Sequence, residues 1–219
     1  MKKGLIISLL IAAATAVVAI IAIKSAGGER VPIHWNINGE VDGYGSPLTL
    51  LIFPITSLLV TLLLYFLPKI DPKGENIRKS SGSILSIMMI LISVLMLGIT
   101  VIIAKAINDS ADILNLITFI LLALGMMFIA LGYYLPGVKH NYMVGIRTPW
   151  TLYSEKIWVK THEASKWWFI SAGALCLVGI LFESPWNLIL PLVYALVVSA
   201  GVAVYSYVLF AEEKRGKRK

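Results

Sequence analysis

The sequence predicts an all-α fold, a polytopic membrane helix bundle with six transmembrane helices and both termini in the cytoplasm. Hydrophobic residues make up 58% of the 219 residues and charged residues only 14%. Soluble domains have about 45 to 50% apolar and about 25% charged residues. The apolar residues also gather in long runs, and lysine and arginine lie at the ends of those runs. These three observations indicate an integral membrane protein.

The apolar runs have lengths near the roughly 20 residues that cross a hydrocarbon core of about 30 Å as a helix. In chain order they are 4–23, 48–67, 83–104, 113–135, 167–182 and 187–210. Continuous runs predict helices rather than the alternating strands of a barrel. The first run follows Lys2 and Lys3, but its apolar core exceeds the roughly 7 to 15 residues of a signal peptide. We therefore expect an uncleaved helix there.

The distribution of lysine and arginine predicts the orientation. With the N-terminus inside, sixteen of the nineteen cationic residues fall on the cytoplasmic side, and only Lys24, Arg30 and Lys105 fall outside. Cytoplasmic loops of membrane proteins carry this excess. The basic tail 214–219 is expected to lie on anionic membrane lipids. We expect no direct binding of nucleic acid, because no motif that reads bases accompanies the tail.

The spans suggest two domains. Residues 1–82 are predicted to form an N-terminal membrane hairpin with an external loop, 24–47, and residues 83–219 a second membrane domain with a cytoplasmic segment, 136–166. The external loop contains five candidate binding residues: Pro32, His34, Trp35, Asn36 and Gly39. Its prolines and glycines predict turns, and its aromatic residues supply apolar anchors. It is either a surface that meets an extracellular agent or a cap packed over the bundle.

The cytoplasmic segment is polar and aromatic between apolar runs. Gly145 permits a tight backbone, and Pro149 biases Thr148 away from helix, so a structured turn is predicted here. Ser154 is the predicted N-cap of a following helix, and Glu155 lies in its first turn, where a negative charge suits the helix dipole.

Glu155, Trp158 and His162 are spaced to share one face of that helix, which Arg147 is able to reach from the turn. Arg147 has two interpretations. It pairs with Glu155 and fixes the turn, or it binds an anion or a partner, with Trp150 as a stacking surface. The candidate residues of this segment are Arg147, Thr148, Pro149, Trp150, Glu155, Trp158 and His162.

The string GIRTPWTL at 145–152, followed by Ser154, Glu155, Trp158 and the string KTH at 160–162, resembles the signature of the SdpI-like (sporulation-delaying-protein immunity) membrane protein family. A second string, VPIHWNING at 31–39, followed by DGYGSP at 42–47, is similar to an uncharacterised N-terminal module that accompanies this family. The resemblance implies a membrane immunity protein that gives resistance to a peptide toxin. It also allows a signalling role through the cytoplasmic face.

Several chemistries lack the residues that they need. The centres of the apolar runs contain no Asp, Glu, His, Lys or Arg, so classical ion-coupled transport is disfavoured. The three histidines do not form a zinc-binding pattern, although His140 and His162 with Glu155 or Glu163 are a formal possibility. No serine or cysteine has a nucleophile setting, and Cys176, the single cysteine, allows no intramolecular disulfide. We predict no enzyme activity, no catalytic residues, no metal and no cofactor.

The predicted function is resistance to a membrane-active peptide toxin by non-catalytic binding or sequestration, a form of bacteriocin immunity at the cell membrane. The candidate partners are the toxin, anionic lipids, a cytoplasmic regulator and a second copy of the chain. The alternative is a facilitator or permease for a small solute, with kinks at Pro54 and Pro191 lining a passage. A third hypothesis is an enzyme acting on lipid headgroups, with Glu155 and His162 as acid and base and Arg147 as phosphate clamp.

Overall fold

The computed structural model describes residues 1–36, 41–108 and 113–216. Within them the chain is a bundle of α-helices with one small two-stranded sheet. The helices are α1 Lys2–Ser25, α2 Ile52–Ile70, α3 Gly74–Ser80, α4 Gly82–Asn108, α5 Ile113–Tyr134, α6 Pro149–Tyr153, α7 Glu155–Gly179 and α8 Trp186–Gly216. Short 3-10 helices precede α2, at Pro47–Leu51, and follow α5, at Leu135–Gly137. The predicted all-α membrane bundle is confirmed.

Five segments of the described chain are long and apolar enough to cross a membrane. They are Lys2–Ser25, Pro47–Ile70, Gly82–Ile107, Leu116–Gly137 and Trp186–Gly216. The predicted fifth run, 167–182, forms the second half of α7, whose first half is polar. The chain is thus a multi-pass membrane protein, while the count of six spans and the cytoplasmic placement of the termini remain predictions.

The long helices pack as two groups of three. α1, α2 and α4 contact one another, and α7 lies between α5 and α8. Contacts between α4 and α5 join the groups. The apolar core of the first group includes Ala19, Ala22, Leu50 and Ile103, and that of the second includes Cys176.

Glycines bring α5 and α7 close together. A Cβ atom built on Gly173 of α7 would lie 2.6 Å from the carbonyl oxygen of Gly125 on α5. A Cβ atom on Gly132 would lie 2.7 Å from the carbonyl oxygen of Lys166. Small residues at such crossings let two membrane helices approach backbone to backbone.

Hydroxyl groups link the helices of the first group. The Oγ of Ser57 on α2 donates to the Oγ of Ser93 on α4 at 3.0 Å, and the hydroxyls of Thr61 and Ser93 lie 3.4 Å apart. All three side chains are buried. Side-chain hydrogen bonds between membrane helices contribute to their association.

A β-hairpin between α1 and α2 is the element that the sequence did not predict. Strand β1, Val31–Trp35, pairs antiparallel with β2, Val41–Gly45, with irregular register on both sides of His34. Val31 is buried, and Trp35 packs against the core formed by α1 and α4. This part of the external loop is therefore a cap on the bundle, and the exposed His34 lies on its surface.

The two prolines that were expected to kink helices differ in position. Pro54 lies in the first turn of α2, directly after the 3-10 helix Pro47–Leu51. The helix type thus changes just before Pro54, and a kink at Pro54 stays a prediction. Pro191 does lie inside α8. It is buried, and its Cγ atom lies 3.0 Å from a Cβ atom built on Gly179 of α7.

We expect a Gly173→Val substitution to destabilise the protein, because the added side chain would overlap the backbone of α5. The expected loss is about 1 to 3 kcal/mol, the usual cost of overpacking, measured by thermal unfolding in detergent. Gly137→Ala is the control, because nothing lies within 4 Å of a Cβ atom there. Equal stability of the two variants would contradict the close crossing of α5 and α7.

Candidate functional site

The centre of the site is a ring stack in the first half of α7. The side chains of Trp158 and His162 are fully buried, and their rings stack with centroids 4.2 Å apart. The stack lies beneath residues 138–148, which we call the cover loop. Trp158 Nε1 donates to the carbonyl of Val138 at 2.7 Å, and the amide of Ile146 donates to His162 Nε2 at 3.0 Å. The stack therefore fixes the cover loop at both ends.

These hydrogen bonds define the state of His162. Its Nε2 accepts from a backbone amide, so its Nδ1 carries the proton and donates to the carbonyl of Trp158 at 2.8 Å. Burial lowers the pKa of His162 from 6.5 to about 4. The bond to the Trp158 carbonyl opposes this change, and nearby His140 adds a smaller lowering effect. His162 is thus a neutral structural residue near pH 7.

Gly145 is required where the cover loop passes over the stack. Its φ of +116° is one that residues with a side chain rarely adopt. A Cβ atom there would also lie 2.5 Å from His162 Nε2. The geometry of this turn therefore needs a glycine for two separate reasons, backbone angle and space.

The side-chain amide of Asn141 organises the middle of the cover loop. It is fully buried, and its Nδ2 donates to the carbonyls of Lys139 and Val144, each at 2.8 Å. Its Oδ1 accepts from the amides of Met143 at 2.9 Å and Val144 at 2.6 Å. One side chain thus satisfies four backbone groups that a loop would otherwise leave to water.

A capping box at the end of the cover loop caps the start of the short helix α6. Thr148 is extended, with ψ of 161°, and its hydroxyl accepts from the amide of Thr151. The Thr151 hydroxyl accepts in return from the amide of Thr148 and donates to the carbonyl of Ile146 at 2.8 Å. Pro149 occupies the first helical position, where its missing N–H costs nothing. The predicted structured turn is therefore a cap followed by one helical turn.

Helix α6 and the residue after it dock onto the last turns of α8. Trp150 packs edge to face on Tyr207, and Tyr153 on Phe210. Polar pairs flank these aromatic contacts: Thr148 with Ser206 at 2.9 Å, and Ser154 Oγ with Glu213 Oε2 at 3.1 Å. Ser154 holds the N-cap position of α7 as expected, but its hydroxyl bonds to α8 rather than capping the helix.

The segment between α2 and α4, residues 71–81, packs on the other side of the cover loop, and we call it the α3 linker. Asp71 Oδ2 accepts from the amide of Tyr142 at 2.8 Å, and Lys73 Nζ lies 2.6 Å from His140 Nδ1. Its other bonds to the loop are Asn76 Nδ2 to the carbonyl of His140 at 2.8 Å and the amide of Lys139 to Ser80 Oγ at 3.0 Å. The cover loop therefore joins the α3 linker, α7 and α8.

Arg147 and Glu155 have exposed side chains, as does Pro149, whereas the other predicted residues of this segment are half-buried or buried. Arg147 Nη1 donates to the carbonyl of Tyr142 at 2.9 Å. Across the described ranges, no ion pair joins Arg147 to Glu155. The arginine thus closes the cover loop on itself.

The candidate residues of the external loop lie on the hairpin cap, far along the chain from the cover loop. His34 Nδ1 lies 2.5 Å from Asp42 Oδ1, and both side chains are largely exposed. Pro32 is buried, and Gly39 lies outside the described residues. Among the described residues no group of three or more His, Cys, Asp and Glu side chains is placed to hold a metal ion.

Known proteins match both halves of the chain. A sequence model of the SdpI/YfhL protein family matches residues 138–207, and one of a domain of unknown function, DUF1648, matches residues 10–66. The chain is 28% identical over 211 residues to the Immunity protein SdpI of Bacillus subtilis (strain 168), an alignment that covers 94% of this chain and 96% of the relative. No solved structure matches the chain.

The chain is an SdpI-like protein. In this SdpI-like chain, the family match begins at Val138, whose carbonyl receives the Trp158 indole N–H. It includes the cover loop, α6, α7 and most of α8. The DUF1648 match includes the hairpin cap and most of α2. The α3 linker lies between the two matched ranges and holds the SdpI-like cover loop in place.

Sequence reasoning missed several residues of this SdpI-like site: Asp71, Lys73, Asn76, Asn141 and Thr151. Thr151 carries a local signal, because threonines at 148 and 151 flank a proline at the first helical position. Asn141 precedes a glycine-containing turn, where asparagine side chains often bond to the backbone nearby. The linker residues have no such signal, because their partners lie 59 to 71 positions away in the sequence.

We expect Asn141→Ala to destabilise the cover loop, because four buried backbone groups lose their partner. The expected loss is about 2 kcal/mol or more, since unpaired buried groups retain their desolvation cost. Thermal unfolding in detergent measures it, with exposed Lys139→Ala as the matched neighbour. An Asn141→Ala protein as stable as Lys139→Ala would show that the amide network does not hold the loop.

We expect stability to fall as the pH is lowered from about 6.5 to about 4 through His162. Its folded-state pKa is depressed, so in this window the unfolded chain binds a proton that the folded chain excludes. The full effect is about 3 kcal/mol at about 1.4 kcal/mol per pKa unit. His162→Gln retains an acceptor for Ile146 and does not titrate. Its unfolding free energy should therefore depend less on pH, and an identical pH dependence would contradict the assignment.

Proposed function

We propose that this chain is an immunity protein of the cell membrane, which protects its host against a membrane-active peptide toxin by binding or sequestering the toxin without catalysis. The observation that carries the proposal is the similarity to an immunity protein along nearly the whole of both chains. At 94% of this chain, the alignment extends over the hairpin cap, the α3 linker and the cover loop, so the similarity does not rest on a single motif.

The geometry supports binding rather than chemistry at the cover loop. The polar atoms beneath the loop already pair with one another, and both nitrogens of His162 are engaged in a fully buried ring. This arrangement disfavours the lipid-headgroup enzyme hypothesis, because a buried, neutral His162 does not face the exposed Glu155 as an acid–base partner. A rigid loop with satisfied polar groups is the type of surface that loses little entropy when a partner binds.

The candidate residues then divide into those that shape the cover loop and those that are exposed to a partner. Gly145, Thr148, Trp158 and His162 set the shape of the cover loop, so their substitution would disturb folding. Arg147 and Glu155 are exposed and are the candidates for direct contact with a partner. A guanidinium presents several donors in a fixed plane, which suits carboxylates and phosphates of a partner.

A signalling role through the same surface belongs to the proposal as its second part. The predicted cytoplasmic side carries the exposed Arg147, Lys156 and Lys160. A regulator with an acidic docking surface would fit these charges. Anionic lipids compete for the same cations, and the basic residues Lys214 and Arg215 of α8 lie at the same end of the bundle.

The two prolines give little support to the alternative, a small-solute facilitator. Pro54 is buried in the first turn of α2, and Pro191 is buried against α7. The hydroxyl cluster of Ser57, Thr61 and Ser93 is buried in helix contacts. Solute flux into liposomes that contain the purified protein would restore this alternative.

We expect expression of the chain to raise the survival of a sensitive bacterium against at least one of a panel of membrane-active peptide toxins. Arg147→Ala should abolish most of that protection at matched membrane abundance, because it removes the exposed guanidinium and leaves the ring stack intact. Arg78→Ala is the matched control, an exposed arginine of α3 whose Nη1 also donates to a backbone carbonyl, that of Pro68. It should retain protection.

Two other outcomes are informative. Protection that survives Arg147→Ala but is lost in His34→Ala would place the toxin-binding surface on the hairpin cap and contradict the role given to the cover loop. Absence of protection against every toxin of the panel, with normal membrane abundance, would contradict the immunity proposal itself.

A further inference from the structure

We propose that a cleft between the first turns of α7 and the last turns of α8 binds the headgroup of phosphatidylethanolamine, a zwitterionic lipid with a primary amine. The cleft has a volume of about 520 Å³, within the range of about 300 to 1,000 Å³ that small-molecule sites occupy. Two lysines of α7 and two glutamates of α8 line it, together with the apolar Ile157 and Leu209. The lipid site goes beyond the immunity proposal and does not depend on it.

The two lysines form the phosphate side of the cleft. Lys156 and Lys160 are about one helical turn apart on α7, so their side chains share one face of the helix. Both are exposed, and in the part of the chain that the structure describes neither lysine forms an ion pair with a carboxylate. Like charges at this spacing repel each other, and a phosphodiester bound by both ammonium groups would offset that repulsion.

The two glutamates form the amine side of the cleft. Glu212 is exposed, and the half-buried Glu213 is held against α7 because its Oε2 accepts from Ser154 Oγ at 3.1 Å. A primary ammonium has three N–H donors and forms charge-assisted hydrogen bonds with carboxylates. The quaternary ammonium of phosphatidylcholine has no such donor and prefers aromatic rings, of which the described lining residues supply none. The cleft therefore favours the ethanolamine headgroup over choline.

The balance of charge disfavours an anionic lipid in this cleft. The four charged side chains that line it, two lysines and two glutamates, together carry no net charge, and neither does phosphatidylethanolamine. Phosphatidylglycerol would offer its phosphate to the lysines but no cation to Glu212 and Glu213. A headgroup that carries both charges satisfies both sides of the cleft at once.

The position of the cleft along α8 favours a lipid over a soluble phosphorylated amine. Leu209 lies in the last apolar turn of this helix, and the charged residues begin at Glu212. The cleft thus starts where the apolar run ends, which is the level of the lipid headgroups for a membrane-spanning helix. The turns before it expose apolar side chains, including Val204 and Val208. Acyl chains would lie on this apolar surface while the headgroup enters the cleft.

The test is native mass spectrometry of the full chain in detergent with an equimolar mixture of phosphatidylethanolamine, phosphatidylcholine and phosphatidylglycerol that have identical acyl chains. We expect the wild-type chain to retain phosphatidylethanolamine about fivefold more than phosphatidylcholine, the upper range for one exposed charge pair. Glu212→Gln keeps the shape of the side chain and removes its charge, so the ratio should fall to about one. Glu183→Gln is the matched control, an exposed glutamate between α7 and α8 at their other ends, and should keep the wild-type ratio.

A second variant separates the two sides of the cleft. The double substitution Lys156→Gln and Lys160→Gln removes the phosphate partners, so retention of phosphatidylethanolamine and phosphatidylcholine should fall together, whereas Glu212→Gln changes only their ratio. Equal retention of the three lipids by the wild-type chain, or a preference that survives Glu212→Gln, would overturn the proposal. Displacement of the lipid by an equal concentration of free phosphoethanolamine would overturn its assignment to a lipid, because a soluble amine would then be the better ligand.

Discussion

The structure of this end of the bundle depends on the burial of one ring stack, Trp158 on His162. Both rings are polar at their edges, and burying them leaves an indole N–H and an imidazole nitrogen that need partners. The cover loop supplies both, through the carbonyl of Val138 and the amide of Ile146. The stack and the loop therefore form only together. This mutual requirement explains why a polar loop that has no regular secondary structure of its own adopts a single shape on α7.

The same loop connects parts of the chain that are distant in sequence. It contacts the α3 linker through His140 and Tyr142, and α8 through α6. The helices of the two groups otherwise meet mainly through α4 and α5. A displacement of the cover loop would thus affect both helix groups. The polar atoms of the loop are largely paired within the chain, and the exposed guanidinium of Arg147 is the group proposed to contact a partner.

The membrane architecture was predictable from the sequence because the length and continuity of the apolar runs indicate membrane-spanning helices. The predicted bounds of the first span, 4–23, lie within α1 at both ends. Helix α7 was predicted in two pieces, a polar helix from Glu155 and an apolar run from 167. In the structure they form one continuous helix. The hairpin escaped prediction because Pro32 within β1 and the glycines of β2 resemble turn residues. The cover loop was predicted as a turn from Gly145 and Pro149. Its bonds to Asp71 and Lys73 were not, since such tertiary contacts have no local pattern.

The proposed protection rests on binding without chemical change to the toxin. It is tested most directly by mass spectrometry of a toxin against which the chain protects, after incubation with the full protein in lipid vesicles and with protein-free vesicles of the same composition. We expect the toxin to be depleted from solution in proportion to the protein and to be released by detergent with an unchanged mass. A cleaved or otherwise modified toxin, or a toxin that the protein does not retain, would contradict it.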